Sequence, residues 1–558
     1  MENQLPSNFD LIVVGTGLIE SIVSAAASRI GKTVLHIDSD NYYGGHWASF
    51  SLTAIQNFLK EQLESQHPKS SSELSIGNNL FNVKNIEIHS NIPKKTANSS
   101  SNSIEFPNCS EHANSSVSVD NLHTNIQEWQ FTTESLLNDS RKFNIDLAPK
   151  LQYARGQFVE LLISSNIARY SEYRSVSRVL TWLNGQLEVV PCSRADVFAN
   201  DKVTLIEKRI LMKLLTSLED DRQNLQEYEN KMFSSYLKDK KLTSNLIHYV
   251  LYAISQSTDS TPCLKGIENT KRFLNSLGRF GKTPFLFSMY GSGETTQAFC
   301  RLSAVFGGIF ALSQPLQHLI LNDHQVVALV SGDQKIYADN FVISLQKAPA
   351  KFVKSVQIKE YISRAVFITD CSLMPSEQEH LTLLMYPPEK GKHLTTLIEM
   401  GSLTGTCPKN LFLVHLIAKQ EVNPQDDFKH IVQNLFTNEV NEENLKAKCK
   451  PQILWSCYFS LPNTCNLDLK AHNCKNVYVC GGPDLDLDYD LSMETAKSIF
   501  KKIYPEDEFL PRAPDPEEII FGEEPDTSER SVSLGNVHHK EESGNIPLQN
   551  QDNDNSTS

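Results

Sequence analysis

The sequence of 558 residues lacks any run of about 18 apolar residues, the length that a membrane-spanning helix requires. Its first residues, Met1–Asp10, are polar and contain no basic region, so we expect no secretory signal peptide. The 11 cysteines are scattered without a Cys-x-x-Cys pair, which favours reduced thiols in the cytosol over disulfides or structural zinc. The formal net charge is −14, of which the last 53 residues carry −11 (14 acidic and 3 basic residues). The rest of the chain is nearly neutral, which argues against a nucleic-acid-binding protein, because such proteins need a cationic surface.

Recognisable catalytic and metal-binding motifs are missing as well. The chain contains neither a His-Glu-x-x-His zinc motif nor a Gly-x-Ser-x-Gly nucleophile elbow. The segment Gly278–Thr283 resembles a P-loop, but Ser276 stands where its first glycine is required, and Pro284 prevents a helix from following. These absences predict a binding protein that is not an enzyme and holds no metal ion.

The polar residues are concentrated in two stretches. Between Ala97 and Ser118, 12 of 22 residues are Ser or Asn, which predicts a disordered polar insert over residues 61–140. From Glu506 to Ser558 there are 14 acidic and three basic residues, which predicts an acidic, disordered tail. Helical spacing of apolar residues predicts an all-helical domain II over residues 191–277. The remaining segments are predicted to form one α/β domain I from residues 1–60, 141–190 and 278–505.

The chain opens with the pattern of a strand, a helix and a second strand. These are predicted over Asp10–Gly15, Leu18–Arg29 and Thr33–Asp38. Gly15 and Gly17 begin a Gly-x-Gly-x-x-Gly fingerprint, and Asp38 ends the second strand, where an acid would bind a cofactor ribose. A Rossmann-like α/β fold is therefore predicted. A further helix is predicted over Pro149–Ala168.

The third glycine of this fingerprint is replaced by Glu20. Its carboxylate would compete for the backbone N–H groups at the helix start and would repel the phosphates of a dinucleotide. We therefore expect a fold that binds no cofactor, in which Gly15, Gly17, Glu20 and Asp38 are remnants of the fingerprint. A working flavin or nicotinamide site is the alternative.

Six ordered motifs are more specific as a set than this fingerprint. They are Gly15-Thr-Gly17, Val34-Leu-His-Ile-Asp38, Tyr42-Tyr43-Gly44-Gly45, Phe143-Asn-Ile-Asp146-Leu, Tyr290-Gly291-Ser-Gly293-Glu294 and Phe299-Cys-Arg301-Leu-Ser-Ala-Val-Phe-Gly307-Gly308. As a set they resemble the superfamily of Rab GDP dissociation inhibitors and Rab escort proteins, over about residues 1–60 and 141–505. The resemblance implies an FAD/NAD(P)-binding Rossmann-like domain of the GDP dissociation inhibitor type with an inserted all-helical domain.

Three features favour the escort branch of this superfamily: the length of the chain, the polar insert, and the motifs Pro191-Cys-Ser-Arg-Ala-Asp-Val-Phe198 and Glu207-Lys-Arg209. The resemblance then implies a non-catalytic subunit of Rab geranylgeranyltransferase. It would bind an unprenylated Rab GTPase in its GDP form, present the Rab C-terminal cysteines to the α/β heterodimer of the transferase, shield the attached geranylgeranyl groups and visit membranes transiently from the cytosol. The alternatives are a GDP dissociation inhibitor that recycles prenylated Rabs and a flavin-dependent oxidoreductase.

The resemblance also assigns residues to two protein-binding sites. Tyr43, Glu294 and Arg301 match a Rab-binding platform, and Phe198 and Arg209 match the residues that dock the transferase α-subunit. Glu294 and Arg301 are seven residues apart on a helix predicted over Glu294–Phe306, so we expect both to point outward from one face. The alternative is that these side chains only cap, pack or solvate their own elements.

The predicted helical domain offers apolar side chains that a geranylgeranyl group could contact if its helices part. The candidate lipid-binding residues are Leu211, Leu214, Leu215, Ile247, Val250 and Leu251. Burial of an isoprenoid is favourable by about 0.8 kcal/mol per CH₂ group. Packing within the helical core is the alternative role for these residues.

Overall fold

The structure is a computed structural model that describes residues 5–65, 81–92, 132–199, 204–220, 228–389, 393–437, 450–465, 467–471 and 474–512. These residues form one structural unit within Met1–Arg512. None of the helices in this described part of the chain is both long and apolar enough to cross a membrane.

The described residues form twenty strands in four sheets. The strands are β1 Asn8–Val14, β2 Val34–Ile37, β3 Ser49–Phe50, β4 Lys84–Ser90, β5 Ile145–Asp146, β6 Gln152–Tyr153, β7 Tyr173–Ser175, β8 Arg178–Leu183, β9 Gln186–Val189, β10 Phe285–Ser288, β11 Ile309–Ala311, β12 His318–Asn322, β13 Gln325–Ser331, β14 Gln334–Ser344, β15 Tyr361–Thr369, β16 Thr382–Tyr386, β17 Thr395–Met400, β18 Phe412–Lys419, β19 Ile453–Pro462 and β20 Val477–Cys480.

Twelve α-helices connect and cover these sheets in the described ranges. They are α1 Leu18–Arg29, α2 Leu52–Ser65, α3 Thr133–Asn138, α4 Gln157–Ser164, α5 Arg194–Ala199, α6 Leu205–Asp220, α7 Phe233–Asp239, α8 Ser244–His248, α9 Cys263–Ser276, α10 Gly293–Val305, α11 Pro424–Leu435 and α12 Asp490–Ile503. A π-helical segment, Tyr249–Ile254, continues α8.

The predicted strand–helix–strand opening forms the centre of a mixed sheet with the order β11-β2-β1-β14-β13-β12, and β20 pairs with the far end of β14. The pairs β11–β2, β2–β1, β1–β14 and β14–β20 are parallel, as in Rossmann-like folds. The apolar residues of β1 are buried on both faces of this sheet, and α1 packs against α10 and α12. The carboxyl ends of β1 and β2 therefore open onto the loops that carry the fingerprint.

A second, larger sheet has the order β4-β19-β15-β18-β17-β16-β8-β9. Its β19 is buried along its whole length, and α11 covers β15 and β19. The π-helical segment packs on the other end of this sheet, against β8 and β16. The helices between Arg194 and Ser276 thus lie beside this sheet.

Two sequence predictions are wrong in part. The insert predicted over 61–140 includes the end of α2, the strand β4, which pairs with β19, and α3, so residues 61–65, 81–92 and 132–140 are structured. The rest of that prediction, at residues 66–80 and 93–131, lies outside the described residues, as does the tail beyond Arg512. The helix predicted over Pro149–Ala168 is wrong at its start, because Gln152–Tyr153 pairs with β10 and the helix begins only at Gln157.

Candidate functional site

Helix α10 has one buried face and one outward face. The buried face contacts α1 through hydroxyl groups: Ser303 Oγ lies 2.9 Å from both Ser24 Oγ and Ser28 Oγ. These small side chains let the two helices approach closely and fix the rotation of α10 about its axis. The outward face carries Glu294 and Arg301, seven residues apart, as the spacing predicts.

The two charged residues on this face have weak contacts within the chain. The Gln297 amide donates a long hydrogen bond of 3.4 Å to Glu294 Oε1. The exposed Arg301 guanidinium donates a bond of 3.4 Å to the backbone carbonyl of Tyr170. Both charged side chains can therefore bind a partner without losing a strong hydrogen bond or ion pair within the chain.

Tyr43 lies next to this helix although it is 250 residues away in sequence. Its ring is half-buried, with its centroid 6.3 Å from that of Phe310 on β11. Burial and the neighbouring Cys300 of α10 raise the pKa of the Tyr43 phenol. The structure thus places Tyr43 beside α10, the helix that carries Glu294 and Arg301.

The turn that presents Tyr43 depends on Gly44. This residue has a φ of +104°, and a Cβ here would lie 3.0 Å from the backbone of Ala48, so a larger residue is excluded. Its N–H donates to Thr16 Oγ1 at 3.0 Å. The turn is consequently fixed to the loop that follows β1.

Apolar and aromatic side chains surround this charged face, and sequence reasoning did not single them out. Val305 is 62% exposed and Phe306 is 40% exposed at the carboxyl end of α10, where the Arg29 guanidinium lies 4.5 Å from the Phe306 ring. Tyr290 precedes the helix, is half-exposed, and has a φ of +65°, which is rare for a bulky residue. A sequence gives no signal of exposure for residues of this type, since most such side chains are buried.

The polar groups of the fingerprint loop form hydrogen bonds with neighbouring residues of the chain. Asp38 Oδ2 accepts hydrogen bonds from Thr16 N at 2.8 Å and from Thr16 Oγ1 at 2.7 Å. Asp38 Oδ1 accepts from Asp40 N at 3.0 Å and lies 3.4 Å from Lys347 Nζ. The acid that would bind a ribose is therefore engaged by neighbouring residues of this chain.

Glu20 fills the position of the missing glycine. Its side chain is fully buried, and a Cβ on Gly17 would lie 2.5 Å from Glu20 Oε2, so the carboxyl group folds over Gly17. Burial raises the pKa of Glu20 to about 8, although hydrogen bonds with its own backbone and with Ser344 act in the other direction. A protonated carboxyl group does not repel phosphates by charge, but the Glu20 side chain also occupies the loop by its volume.

The residues at this loop do not fit a flavin or nicotinamide dinucleotide. The space among Gly15, Glu20, Asp38 and their neighbours is about 20 Å³, about enough for one water molecule. Ligand pockets usually measure about 300–1,000 Å³. No chemical step is therefore assigned to a cofactor here. Nor does the described part of the chain bring three His, Cys, Asp or Glu side chains together in a way that could hold a metal ion.

Helix α6 presents the second predicted docking site. Thr204 and Glu207 form reciprocal hydrogen bonds at its start, and Thr243 Oγ1 donates to Glu207 Oε1 at 2.7 Å, which ties α6 to α8. These bonds lower the pKa of Glu207. Arg209 is exposed on this helix, near Leu205 and Ile206, which are 69% and 70% exposed. Phe198 lies in α5, and its side chain is outside the described part of the structure.

Most of the candidate lipid-binding residues are packed in the core. Leu211, Leu214, Val250 and Leu251 are buried in one apolar cluster, and Ile247 packs against it half-buried. The side chain of Leu215 is outside the described part. These residues contribute to packing in this structure, so a lipid would reach them only if the helices separated.

Comparisons with known proteins agree with this fold. A family model described as GDP dissociation inhibitor matches residues 3–83, and one described as RAE1/2 domain I, C-terminal region matches residues 362–485. "Rab proteins geranylgeranyltransferase component A" from Drosophila melanogaster is 36% identical, covering 94% of this chain and 94% of that protein. "Rab proteins geranylgeranyltransferase component A 1" from Rattus norvegicus is 34% identical, covering 96% of each chain.

A solved structure with the same architecture is that of the Rab GDI from Plasmodium falciparum. It has a TM-score of 0.59 at 17% identity, and the match covers 90% of this chain and 100% of the other. The predicted fold class, a Rossmann-like α/β fold of the GDP dissociation inhibitor type, is confirmed by this likeness and by the sheet described above.

Proposed function

Because the chain belongs to the family of Rab proteins geranylgeranyltransferase component A, we propose that it acts as a Rab escort protein. In this role it binds an unprenylated Rab GTPase in its GDP form and presents the C-terminal cysteines of the Rab to the α/β heterodimer of the transferase. It then shields the attached geranylgeranyl groups and delivers the Rab to a membrane. The chain works in the cytosol, and its contacts with membranes are transient.

The observation that carries this proposal is the outward face of α10 with Tyr43 beside it. This face carries an arginine and a glutamate without strong internal partners, a tyrosine lies beside the helix, and exposed apolar groups stand at both of its ends. Interfaces concentrate their binding energy in such tyrosine and arginine side chains, and surrounding apolar contacts exclude water. A preference for the GDP form follows if the bound segments of the Rab are those that a γ-phosphate reorders.

The proposed role is not catalytic. The loop that would hold a dinucleotide is filled by Glu20, and its acid is engaged by Thr16. The chemistry of thioether formation belongs to the transferase heterodimer. The escort contributes orientation and raises the effective concentration of the flexible Rab C-terminus near the active site.

Docking of the transferase is assigned to Phe198 and Arg209. The exposure of Arg209 and of the neighbouring Leu205 and Ile206 supports this assignment, since an exposed apolar pair beside an arginine is typical of a protein-binding surface. The attached lipid is assigned to the core between α6 and the π-helical segment, which must open to admit it.

A prenylation assay tests the proposal. Purified Rab in its GDP form, geranylgeranyl diphosphate and the transferase heterodimer are incubated with and without this chain, and transfer to the Rab is measured. We expect transfer only when the chain is present. Equal rates of transfer with and without the chain would contradict the escort role. They would favour the alternative function, that of a GDP dissociation inhibitor, which extracts prenylated Rab from membranes.

Co-purification of the transferase tests the docking site. The Phe198→Ala variant is expected to lose the transferase and to keep Rab binding. Loss of both partners by this variant would indicate general destabilisation and would contradict the assignment of Phe198.

A further inference from the structure

The amino end of α10 is held by residues that are distant in sequence. Both carboxylate oxygens of Asp146 accept a hydrogen bond from Ser292 N, at 2.9 Å and 3.0 Å. Ser49 Oγ accepts one from Gly293 N at 2.8 Å, and its own hydroxyl donates to Asp146 Oδ1. The first N–H groups of a helix have no partners within the helix. The pair of Ser49 and Asp146, called the clamp below, supplies them here.

The clamp explains the glycines of the Tyr290–Glu294 motif. A Cβ on Gly291, whose φ is +104°, would lie 2.6 Å from Ser49 Oγ and 2.7 Å from Asp146 Oδ1. A Cβ on Gly293 would lie 2.7 Å from Ser49 N. Real Cβ contacts are not so short, so the close approach of the clamp to the backbone requires glycine at both positions.

The clamp is fixed in place by strand pairing and by hydrogen bonds to the large sheet. Ser49 and Asp146 are paired residues of the two-stranded sheet β3–β5. The fully buried Arg364 on β15 donates to Leu147 O at 2.8 Å and to Asp146 O at 3.3 Å, which fixes β5 to the large sheet. Burial raises the pKa of Asp146, while Ser49, Ser292 and Arg364 act to lower it.

The clamp also joins the two parts of the candidate binding surface. Ser49 lies six residues after Tyr43, and Glu294 directly follows Gly293. We propose that Asp146 and Ser49 are positioning residues for GTPase binding, because they fix the Tyr43 turn and the amino end of α10 in one mutual orientation. This inference rests on the proposed function, since it assumes that the GTPase binds Tyr43 and Glu294.

A double-mutant cycle tests the inference. The affinity of purified chain for GDP-bound Rab is measured for the wild type, Asp146→Asn, Glu294→Ala and the double variant. Asn keeps the shape of Asp, and its amide oxygen at the Oδ1 position still accepts from Ser49 Oγ and Ser292 N. Its NH₂ group takes the place of Oδ2, so the second contact of Ser292 N becomes a donor facing a donor and the charge at the helix start is lost. We expect Asp146→Asn to weaken binding about tenfold and to weaken it less than about twofold once Glu294 is removed. Transferase binding is expected to stay unchanged.

Two further variants separate positioning from folding. Ser49→Ala removes the acceptor of Gly293 N, and it is expected to weaken GTPase binding with the same dependence on Glu294. Glu399→Gln is the matched control, because Glu399 is a buried carboxylate that accepts from Leu373 N and Ser372 Oγ at 2.6 Å each, on the large sheet. It is expected to keep the wild-type affinity for the GTPase.

The outcomes distinguish the inference from the proposed function. A loss in Asp146→Asn that is equally large with and without Glu294 would overturn the positioning role, and so would a loss of the same size in Glu399→Gln. Wild-type binding by Glu294→Ala would overturn the proposed binding surface itself.

Discussion

Arg301 is the single side chain on which the proposed GTPase-binding surface can be tested most directly. It is exposed, and its contact with the Tyr170 carbonyl is long, so its removal should change the free energy of unfolding by less than about 0.5 kcal/mol. We expect Arg301→Ala to weaken Rab binding by about 2 kcal/mol, as is typical of an interface arginine, and to leave transferase binding intact. Isothermal titration with GDP-bound Rab measures the effect.

The control for this substitution is another exposed arginine. Arg155 lies in the turn before α4, and its backbone contacts Ser276 at the end of α9. Arg155→Ala is expected to bind Rab like the wild type. An equal loss in both variants would contradict a specific role for Arg301 and would indicate a general effect of positive charge.

The sequence shows the identity of Glu20, but only the structure shows that its carboxyl group is buried. Burial raises its pKa to about 8, whereas in the unfolded chain it returns to its ordinary value near 4.5. Between these two values the folded state holds a proton that the unfolded state has released. The stability from this group is therefore complete below pH 4.5 and is lost as the pH rises towards 8.

The variant Glu20→Gln removes this titration without changing the shape of the side chain. Between pH 5 and 8 we expect the free energy of unfolding of the wild type to fall, relative to that of the variant, with a steepest slope of about 1.4 kcal/mol per pH unit near the middle of this range. Urea unfolding at each pH measures this difference. Parallel pH profiles of the two proteins would show that Glu20 is ionised in the folded state and would restore the argument from charge repulsion.

Among the secondary-structure elements, α6 is the one whose exposed face is assigned to the transferase. Leu205 and Ile206 are adjacent apolar residues near its start and contribute little to the core. We expect Leu205→Ser and Ile206→Ser each to weaken transferase binding by about 1–2 kcal/mol, with unchanged Rab affinity. Surface plasmon resonance with the immobilised heterodimer provides the measurement.

The same substitution at an exposed apolar residue elsewhere serves as the control for α6. Val422, before α11, is 67% exposed and is expected to tolerate serine without loss of either partner. If Val422→Ser weakens transferase binding as much as Leu205→Ser does, the docking surface does not lie on α6.

The elements that were predicted correctly are those that local pattern defines. The helix α1 has the bounds that its alanine-rich run predicts, and Glu294 and Arg301 lie on one face of α10 because helical geometry alone decides it. The strand β4 was missed, although Ile86 and Ile88 alternate there, because its pairing with β19 bridges more than 350 residues. Gln152–Tyr153 was assigned to a helix because its pairing with β10 is equally invisible in the local pattern.

Prediction of the binding surface from the sequence is limited in the same way, because part of it depends on long-range contacts. Spacing places two of its residues on one helix, but the approach of Tyr43 depends on the order of the strands, and the contact of Asp146 with Ser292 joins residues 146 positions apart. Such long-range contacts are not encoded in any single segment. They follow only once the sheet topology is known.

Arg272 of α9 forms ion pairs that join the helical region to the rest of the chain. Its guanidinium contacts the carboxylates of Asp488, at 2.5 Å, and of Asp490, which begins α12. It also lies 4.3 Å from the ring centroid of Tyr153. A cavity of about 350 Å³ lies beside these residues, between α9 and the large sheet, so apolar packing is incomplete here and the ion pairs add to the apolar contacts that the helical region makes elsewhere.

Removal of this cation should therefore loosen the helical region selectively. Arg272→Met leaves Asp488 buried without its cation, and we expect the free energy of unfolding to fall by about 1–3 kcal/mol. The loss is smaller than for a fully buried pair because the Arg272 side chain is 31% exposed.

Hydrogen exchange in Arg272→Met is expected to accelerate in α9 and in residues 244–254, and to stay unchanged in α10. Lys265→Met is the control on the same helix, since Lys265 is exposed and its ion pair is with Glu268 of α9 itself. Because Rab binding is assigned to α10 and lipid and transferase binding to the helical region, Arg272→Met should slow prenylation while keeping Rab affinity. Faster exchange in α10, or a loss of Rab affinity equal to the loss of prenylation, would show that the two regions do not work independently.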